Sequence, residues 1–481
     1  MKQEKEQKEE IFCRDYLNEV SRQIRCKKAI PMLEKELQAH MEDQRDDYLA
    51  QGISEDEAQK LAIQQMGDPV ETGKRLDKVH KPGMDWVLLA MVIGLSVFGI
   101  VIQCLIFPYM DNTHIAATYG NKTIWYNLTG LGIMIALLFL DYRILGKRPW
   151  LCYGLYLICT FLIVRIGQMG ISAGTWISVN GGYATAFQAG NFCWMMFVPV
   201  FAVMVYRFRG QKGKGILKGL GILVLTNIFM MMLGTYSTAM WFMVQGTCLL
   251  VLIGACAKGI FGGRKRLQVK IGVTLLLAAP MIFFGTMVCL QNNQIGLAAY
   301  QIERLRAMLQ PEKYGDSYAY PTMQARSTVA NASFAGTGSL GTFQTRSGAY
   351  SDYIINCALS YFGIGVVLLL LVVLTLFLLR VFHISVRQKN QLGFLLGIAS
   401  CSILVLKSLC YVGANFGVLQ GSAVDMPLLS YGLNNTIANA VMIGLVLSVY
   451  RYTRVFDREP LDSGAGENCG FTLLQNGKSR V

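Results

Sequence analysis

Residues 86–108 read WVLLAMVIGLSVFGIVIQCLIFP, a stretch with no Asp, Glu, Lys or Arg. A helix rises 1.5 Å per residue, so about 20 apolar residues cross the hydrocarbon core of a bilayer. Nine further runs of this kind follow, at approximately 124–142, 150–170, 190–206, 214–233, 237–257, 268–290, 353–379, 391–413 and 433–450. Only 15% of the 481 residues are charged, against about 25% in soluble domains. With 53% hydrophobic residues and a mean hydropathy of +0.39, a soluble globular chain is excluded. The apolar content also excludes disorder, and the 49 glycines show no G-x-y period. The sequence predicts an all-α integral membrane protein with ten transmembrane helices.

The loops between the runs orient the chain. Arg143, Lys147 and Arg148 follow the second run, Arg207, Arg209, Lys212 and Lys214 the fourth, and Arg264, Lys265, Arg266 and Lys270 the sixth. Arg380, Arg387 and Lys389 follow the eighth, and Arg451 and Arg454 the tenth. With ten spans all of these share one side, which the positive-inside rule makes cytoplasmic, together with both termini. The net charge of +14 is thereby explained by topology, and no nucleic acid is implied. The 13 cysteines fall singly and mostly within apolar runs, as small hydrophobes, and no CxxC or Cys/His cluster suggests zinc or redox chemistry. No secretory signal opens the chain, since residues 1–82 are highly charged.

Residues 1–82 are expected to form a cytosolic helical module. One helix starts at Pro31 and stops at Gly52, and Ser54 with Glu57 forms a capping-box pattern for the next. After the Gly67-Asp68-Pro69 turn a third helix runs from about Val70 to Val79. The residues Glu36-Leu37-x-x-His40-x-x-Asp43, Gly52-x-Ser54-x-x-Glu57-Ala58 and Met66-Gly67-Asp68-Pro69 resemble a short prefix module found ahead of membrane domains in some Firmicute permeases and sensors. That resemblance implies regulation or assembly, not a reaction. The membrane domain is expected over 83–455, and a cytosolic tail over 456–481.

A single loop is long. Residues 291–352, between the seventh and eighth runs, fall on the outer face, and a loop of this length in a compact bundle is seldom passive. Leu297 to Leu309 carries apolar residues at helical spacing among Glu303, Arg304 and Arg306, which suggests an amphipathic helix at the membrane surface. Within and beyond this loop stand Tyr300-Gln301-x-x-Arg304-Leu305, Pro311, Tyr320-x-x-x-Gln324 and Ala335-Gly336-Thr337-Gly338-Ser339-Leu340-Gly341. Ser351-Asp352-Tyr353-Ile354 leads to Phe362-Gly363-x-Gly365, and Met426-Pro427-Leu428-Leu429-Ser430-Tyr431-Gly432 precedes the last run. With these segments in this order, residues 86–455 resemble the SEDS family of shape, elongation, division and sporulation proteins, FtsW, RodA and SpoVE among them.

The resemblance implies glycan polymerisation from lipid II, a polyprenyl-pyrophosphate-linked precursor, with a class B penicillin-binding protein as partner. Such a reaction needs an outward cavity, cations against the pyrophosphate, and a carboxylate that activates the acceptor hydroxyl. The family's essential acid lies between the positions matching Pro311 and Tyr320. Ungapped counting puts Tyr314 there, and a phenol is a poor general base at neutral pH; the nearest Asp is Asp316. Asp316 is therefore the catalytic candidate. Lys407, Gln188, Arg304, Gln324, Ser430 and Tyr431 are the substrate-binding candidates, with Lys407 either meeting a phosphate or closing an internal salt bridge. No cofactor is identifiable. A divalent metal at the pyrophosphate would suit the chemistry, yet the sequence offers no ligand set for it.

Departures from the family pattern cluster at polar positions. Thr175-Trp176-Ile177 and Gln188-Ala189-Gly190-Asn191 lack the family's Arg and Glu, Thr235-Tyr236-Ser237-Thr238-Ala239 lacks its acid, and Ser360-Tyr361 replaces a pair of Glu residues. Two alternatives to a polymerase follow: a catalytically degenerate relative that binds lipid II as a regulatory scaffold, or a transporter of lipid-linked precursor. Trp176, Tyr183, Trp194 and Trp241 are expected as interfacial anchors near span ends.

Overall fold

A computed structural model describes residues 14–106, 113–170, 176–177, 187–233, 238–292, 306–307, 310–315, 317, 319–339, 349–419, 424–453 and 455. Two compact units divide the chain, one of residues 1–82 with 453–481, the other of Gly83–Tyr452.

In the first unit, helices 14–22, Ile30–Ala50, Glu55–Gln65 and Pro69–Val79 bury Val20, Leu33, Met41, Ala58 and Ala62. Ser54 occupies the N-cap position of the third of these, but its side chain makes no capping bond, so the capping box is not formed. The cap that does form is Asp68, which accepts from the Glu71 N–H at 2.9 Å with Pro69 at the first helical position. Asp77 is buried and accepts from the Arg25 backbone N–H, Nε and Nη2 at 2.9, 2.9 and 2.7 Å. Arg25 hydrogen bonding therefore holds the Asp77 carboxyl below the usual carboxylate range. The predicted tail, 456–481, lies outside the described residues.

The second unit is an all-α, multi-pass membrane domain. Its ten apolar runs lie in helices labelled here α1 (Trp86–Ile106), α2 (Thr113–Phe139), α3 (Pro149–Gly170), α4 (Ala189–Arg207), α5 (Lys212–Met232), α6 (Thr238–Lys258), α7 (Lys265–Asn292), α8 (Ile364–Val386), α9 (Gln391–Asn415) and α10 (Leu433–Tyr452). Among the described residues nine of them, all but α7, are long and apolar enough to cross a membrane. In α4 and α9 72% of the spanning window is buried, against 22–33% in α1, α2, α3, α5 and α8. The inner helices thus form the protein core, while the outer ones turn residues such as Leu155, Val224 and Leu369 to lipid. Small residues let backbones approach: a Cβ on Gly444 of α10 would lie 2.9 Å from the Leu137 Cβ of α2.

Two expectations change. The eighth run is not one helix: Ile354–Phe362 is a separate short helix, and α8 begins after Gly363, whose φ of +86° breaks the rod. Trp194 is no interfacial anchor, being fully buried within α4.

Candidate functional site

The long loop returns to the bundle through the helix Tyr320–Ala330. Thr322 and Ala325 face inward, and the Arg326 Nε donates to the Gly417 carbonyl just past α9 at 2.9 Å. Residues 333–338 then pack against the backbone of 360–365. Thr337 and Gly338 N–H donate to the Ser360 and Tyr361 carbonyls at 2.9 and 3.2 Å. Ile364 and Gly365 N–H donate to Ser333 and Phe334 at 3.0 and 3.3 Å. A Cβ on either Gly336 or Gly363 would overlap the other segment's backbone. The two glycine motifs seen in the sequence are therefore one structural joint, and the Thr337 and Gly338 amides are used within it.

A second joint gathers segments far apart in the chain. The Ser351 carbonyl accepts from the Tyr411 hydroxyl at 2.9 Å and from the Ser430 hydroxyl at 2.8 Å. Each hydroxyl in turn accepts a backbone N–H, Tyr411 from Ile354 at 2.9 Å and Ser430 from Met426 at 2.7 Å. Beside them the Asn356 Nδ2 donates to the Asn415 carbonyl at 2.7 Å, and the Asn415 Nδ2 donates to the Asp352 carbonyl at 3.0 Å. The Met426–Gly432 segment is also wedged against α1: the Gln103 amide donates to the Leu429 carbonyl, and a Cβ on Gly99 would sit 2.9 Å from the Leu428 oxygen. Leu428 accepts a left-handed φ of +69° in this turn.

Below this joint lies a buried charge cluster. Lys407 is 0% exposed, and its Nζ is 2.7 Å from each Asp425 carboxylate oxygen. The same Nζ lies 3.1 Å from the Asn439 Oδ1 and 3.4 Å from the Met195 sulfur. The Asn439 Nδ2 closes the ring by donating to Asp425 at 3.0 Å. One cation and one carboxylate, each hydrogen-bonded further, make a neutral cluster at membrane depth, joining α4, α9, α10 and the segment before α10.

Of the substrate-binding candidates, Lys407 takes the internal salt bridge: its ammonium is enclosed, so the phosphate contact is not available to it in this conformation. Ser430 is 8% exposed, with its hydroxyl both donating and accepting inside the joint. Tyr431 is buried too, its ring 5.4 Å from that of Tyr126. Gln324 remains half-buried on the loop helix, its Nε2 donating to the Tyr320 hydroxyl at 2.8 Å. Gln188 pairs through its backbone with Trp176 in a two-residue antiparallel ladder, β1 (Trp176–Ile177) with β2 (Phe187–Gln188), that leads into α4. Arg304 and Asp316 lie outside the described residues. Tyr314, where ungapped counting had placed the acid, is half-buried, and its carbonyl accepts from the Ser317 and Ala319 N–H groups at 3.0 Å each.

Sequence reasoning missed Asp425, Asn439, Asn356, Asn415 and Arg326. A lysine inside an apolar run announces an acidic partner, but nothing in its spacing singles out Asp425 from the other acids. Among the described residues no three of His, Cys, Asp or Glu come together at metal-binding distance.

A family model for cell cycle proteins, FTSW_RODA_SPOVE, matches residues 84–455. The probable peptidoglycan glycosyltransferase FtsW of Idiomarina loihiensis is 23% identical over 405 residues, 81% of this chain and 92% of the relative. Peptidoglycan glycosyltransferase MrdB of Escherichia coli K12 is 25% identical over 391 residues, covering 79% and 96%. Among solved structures, a chain from a study of how a peptidoglycan synthase complex coordinates polymerization and crosslinking aligns with a TM-score of 0.59 at 19% identity, covering 77% of this chain and 98% of its own. The Thermus thermophilus rod shape determining protein RodA aligns at 0.50 and 17%, with the same coverage. These structural likenesses establish a shared fold.

Proposed function

The chain belongs to the FtsW, RodA and SpoVE family of cell cycle proteins, and from that premise we propose that it polymerises peptidoglycan glycan from lipid II in a bacterial cell membrane. The observation that carries this reading is the match across nearly the whole membrane unit to relatives named as peptidoglycan glycosyltransferases, themselves covered over more than nine tenths of their length. In this reading the long loop lies outside the cell and both termini lie in the cytoplasm, as the Lys and Arg alternation requires. A class B penicillin-binding protein is the cross-linking partner.

The reaction joins an acceptor sugar hydroxyl to the anomeric carbon of the lipid-linked donor. As that C–O bond forms, the bond from the anomeric carbon to the pyrophosphate oxygen breaks, and the polyprenyl pyrophosphate departs. Asp316 takes the hydroxyl proton as general base. Arg304 and the exposed Arg326 offer positive charge to the leaving group, and Gln324 offers an amide to the headgroup. With Lys407 engaged by Asp425, the loop carries the cations.

Purified protein given labelled lipid II is expected to yield glycan polymer, and Asp316→Ala to abolish it. Undiminished polymer from that variant would remove Asp316 as base. A second reading is favoured by the Ser360-Tyr361 pair standing where the family has carboxylates: a scaffold that holds lipid II without polymerising it. Saturable lipid II binding by the wild type with no polymer would select that reading, and polymer-free movement of labelled lipid II across liposomes would select transport.

A further inference from the structure

Opposite the long loop, the end of the turn between α6 and α7 carries Arg264, and the first two turns of α7 carry Lys265, Arg266 and Lys270, all exposed and none in an ion pair among the described residues. With Leu267 they border an open cavity of about 470 Å³ at the surface. The neighbouring α4–α5 turn is tied to this one, since Gly210 and Lys212 N–H donate to the Ile260 and Phe261 carbonyls at 3.0 and 2.7 Å. The first turn of α5 adds exposed Lys212 and Lys214. No Asp or Glu occurs anywhere between Asp141 and Glu303, so the sequence supplies no local carboxylate to neutralise these cations.

We propose that this cavity binds the headgroup of an anionic phospholipid carrying two phosphates, of the diphosphatidylglycerol type. The positive-inside rule accounts for an excess of cations at this end but not for four of them lining one cavity. Basic pockets at the ends of membrane helices suit such headgroups. The four lining cations exceed what a single phosphate balances, which favours a headgroup with two. The occupant is a lipid because the cations stand beside exposed apolar side chains at the start of α7, one of the apolar runs. Leu267 is 53% exposed and Ile271, one turn further along α7, is 45% exposed, an apolar flank for acyl chains next to the phosphates. The site is remote from the loop joints and stands whether or not the chain polymerises glycan.

The test titrates the purified full-length protein in detergent with cardiolipin, phosphatidylglycerol and phosphatidylcholine, reading bound lipid by native mass spectrometry. Cardiolipin should bind most tightly, and R264Q/K265Q/R266Q/K270Q should weaken it roughly fivefold per charge removed. Phosphatidylcholine binding should not change. A reference variant of equal charge, K27Q/K35Q/K60Q/K74Q, should bind as the wild type does. Should the fourfold variant fail to fold, R264Q/R266Q against the charge-conserving R264K/R266K reads the same difference. Equal weakening in the reference variant, no preference of the wild type for cardiolipin over phosphatidylcholine, or competition by inorganic pyrophosphate as effective as cardiolipin itself would each overturn the assignment.

Discussion

Replacing Lys407 by Met removes the ammonium from a cluster in which Asp425 is 2% exposed. The carboxylate then keeps only the Asn439 amide at 3.0 Å as a polar partner among those the cluster provides. Removing one member of a buried pair costs about 3–5 kcal/mol, because the partner charge stays buried. Asp425→Leu strands the lysine by the same logic, at a similar cost. Removing both charges together eliminates the stranded group, and exchanging a buried pair for apolar residues is often neutral or stabilising by about 1–4 kcal/mol. Lys407→Met/Asp425→Leu is therefore expected to melt near the wild type, with each single variant well below it. At about 2 °C per kcal/mol for a large domain, the single variants should fall by about 6–10 °C. The assay is loss of the monodisperse peak after heating in detergent, measured at one heating rate for all four proteins. Single variants within a degree or two of the wild type, or a double variant lower than both, would refute the account of a mutually compensating pair.

Ser430→Ala deletes both the bond to the Ser351 carbonyl and the acceptor of the Met426 N–H, so a loss of about 1–3 kcal/mol is expected, read as a lower melting temperature and faster proteolysis after residue 332. Gly363→Ala adds a Cβ at φ +86° against the backbone of Phe334 and Gly336; about 1–3 kcal/mol from the backbone strain alone, plus the overlap, should show as poor accumulation in membranes. Asp77 has a lowered pKa because of Arg25, so its stabilisation is full above the ordinary carboxylate value of about 3.9 and fades as pH falls through the lower folded value. Asp77→Asn should raise hydrogen exchange in Pro69–Val79 of the full chain at neutral pH, and the difference from wild type should shrink in acid.

Apolar length alone located the runs, because a lipid-crossing helix has a minimum span that few other structures need. It did not reveal the break at Gly363, since Phe362-Gly363-Ile364 is as apolar as its flanks and only the crossing of residues 333–338 demands the left-handed turn. Trp194 was misjudged for a related reason: hydropathy reports distance along a span but not which face of a nearly uniformly apolar helix turns inward. The Lys407 cluster was half legible. Its need for an acid is written in the cost of a charge at membrane depth, whereas the choice of Asp425 depends on how the segment before α10 folds back between α9 and α10. Asp425 in turn positions the Met426–Ser430 turn that grips Ser351.

That dependence bears on what the signature segments are for. The hydroxyls of Ser430 and Tyr411, the Asn415 amide and the amides of Thr337 and Gly338 all bond to the protein's own backbone. A residue so engaged can be required in a sequence pattern without ever meeting a substrate, because its loss would separate the long loop from α9 and α10. Side chains that touch a lipid-linked sugar have the opposite requirement, needing polar atoms left over after folding. On this loop Gln324 and Arg326 keep exposed surface while their helix is anchored at Gly417, and the proposed function therefore sets the headgroup against them. In the proposed function, the signature residues build the frame, and the departures that the family resemblance implies fall on carboxylates and cations held toward substrate. Retained frame and altered polar lining are separable properties, so fold stability and polymerase activity should respond to different substitutions: Ser430→Ala should lower both, while Gln324→Ala should lower lipid II turnover and leave the melting temperature unchanged.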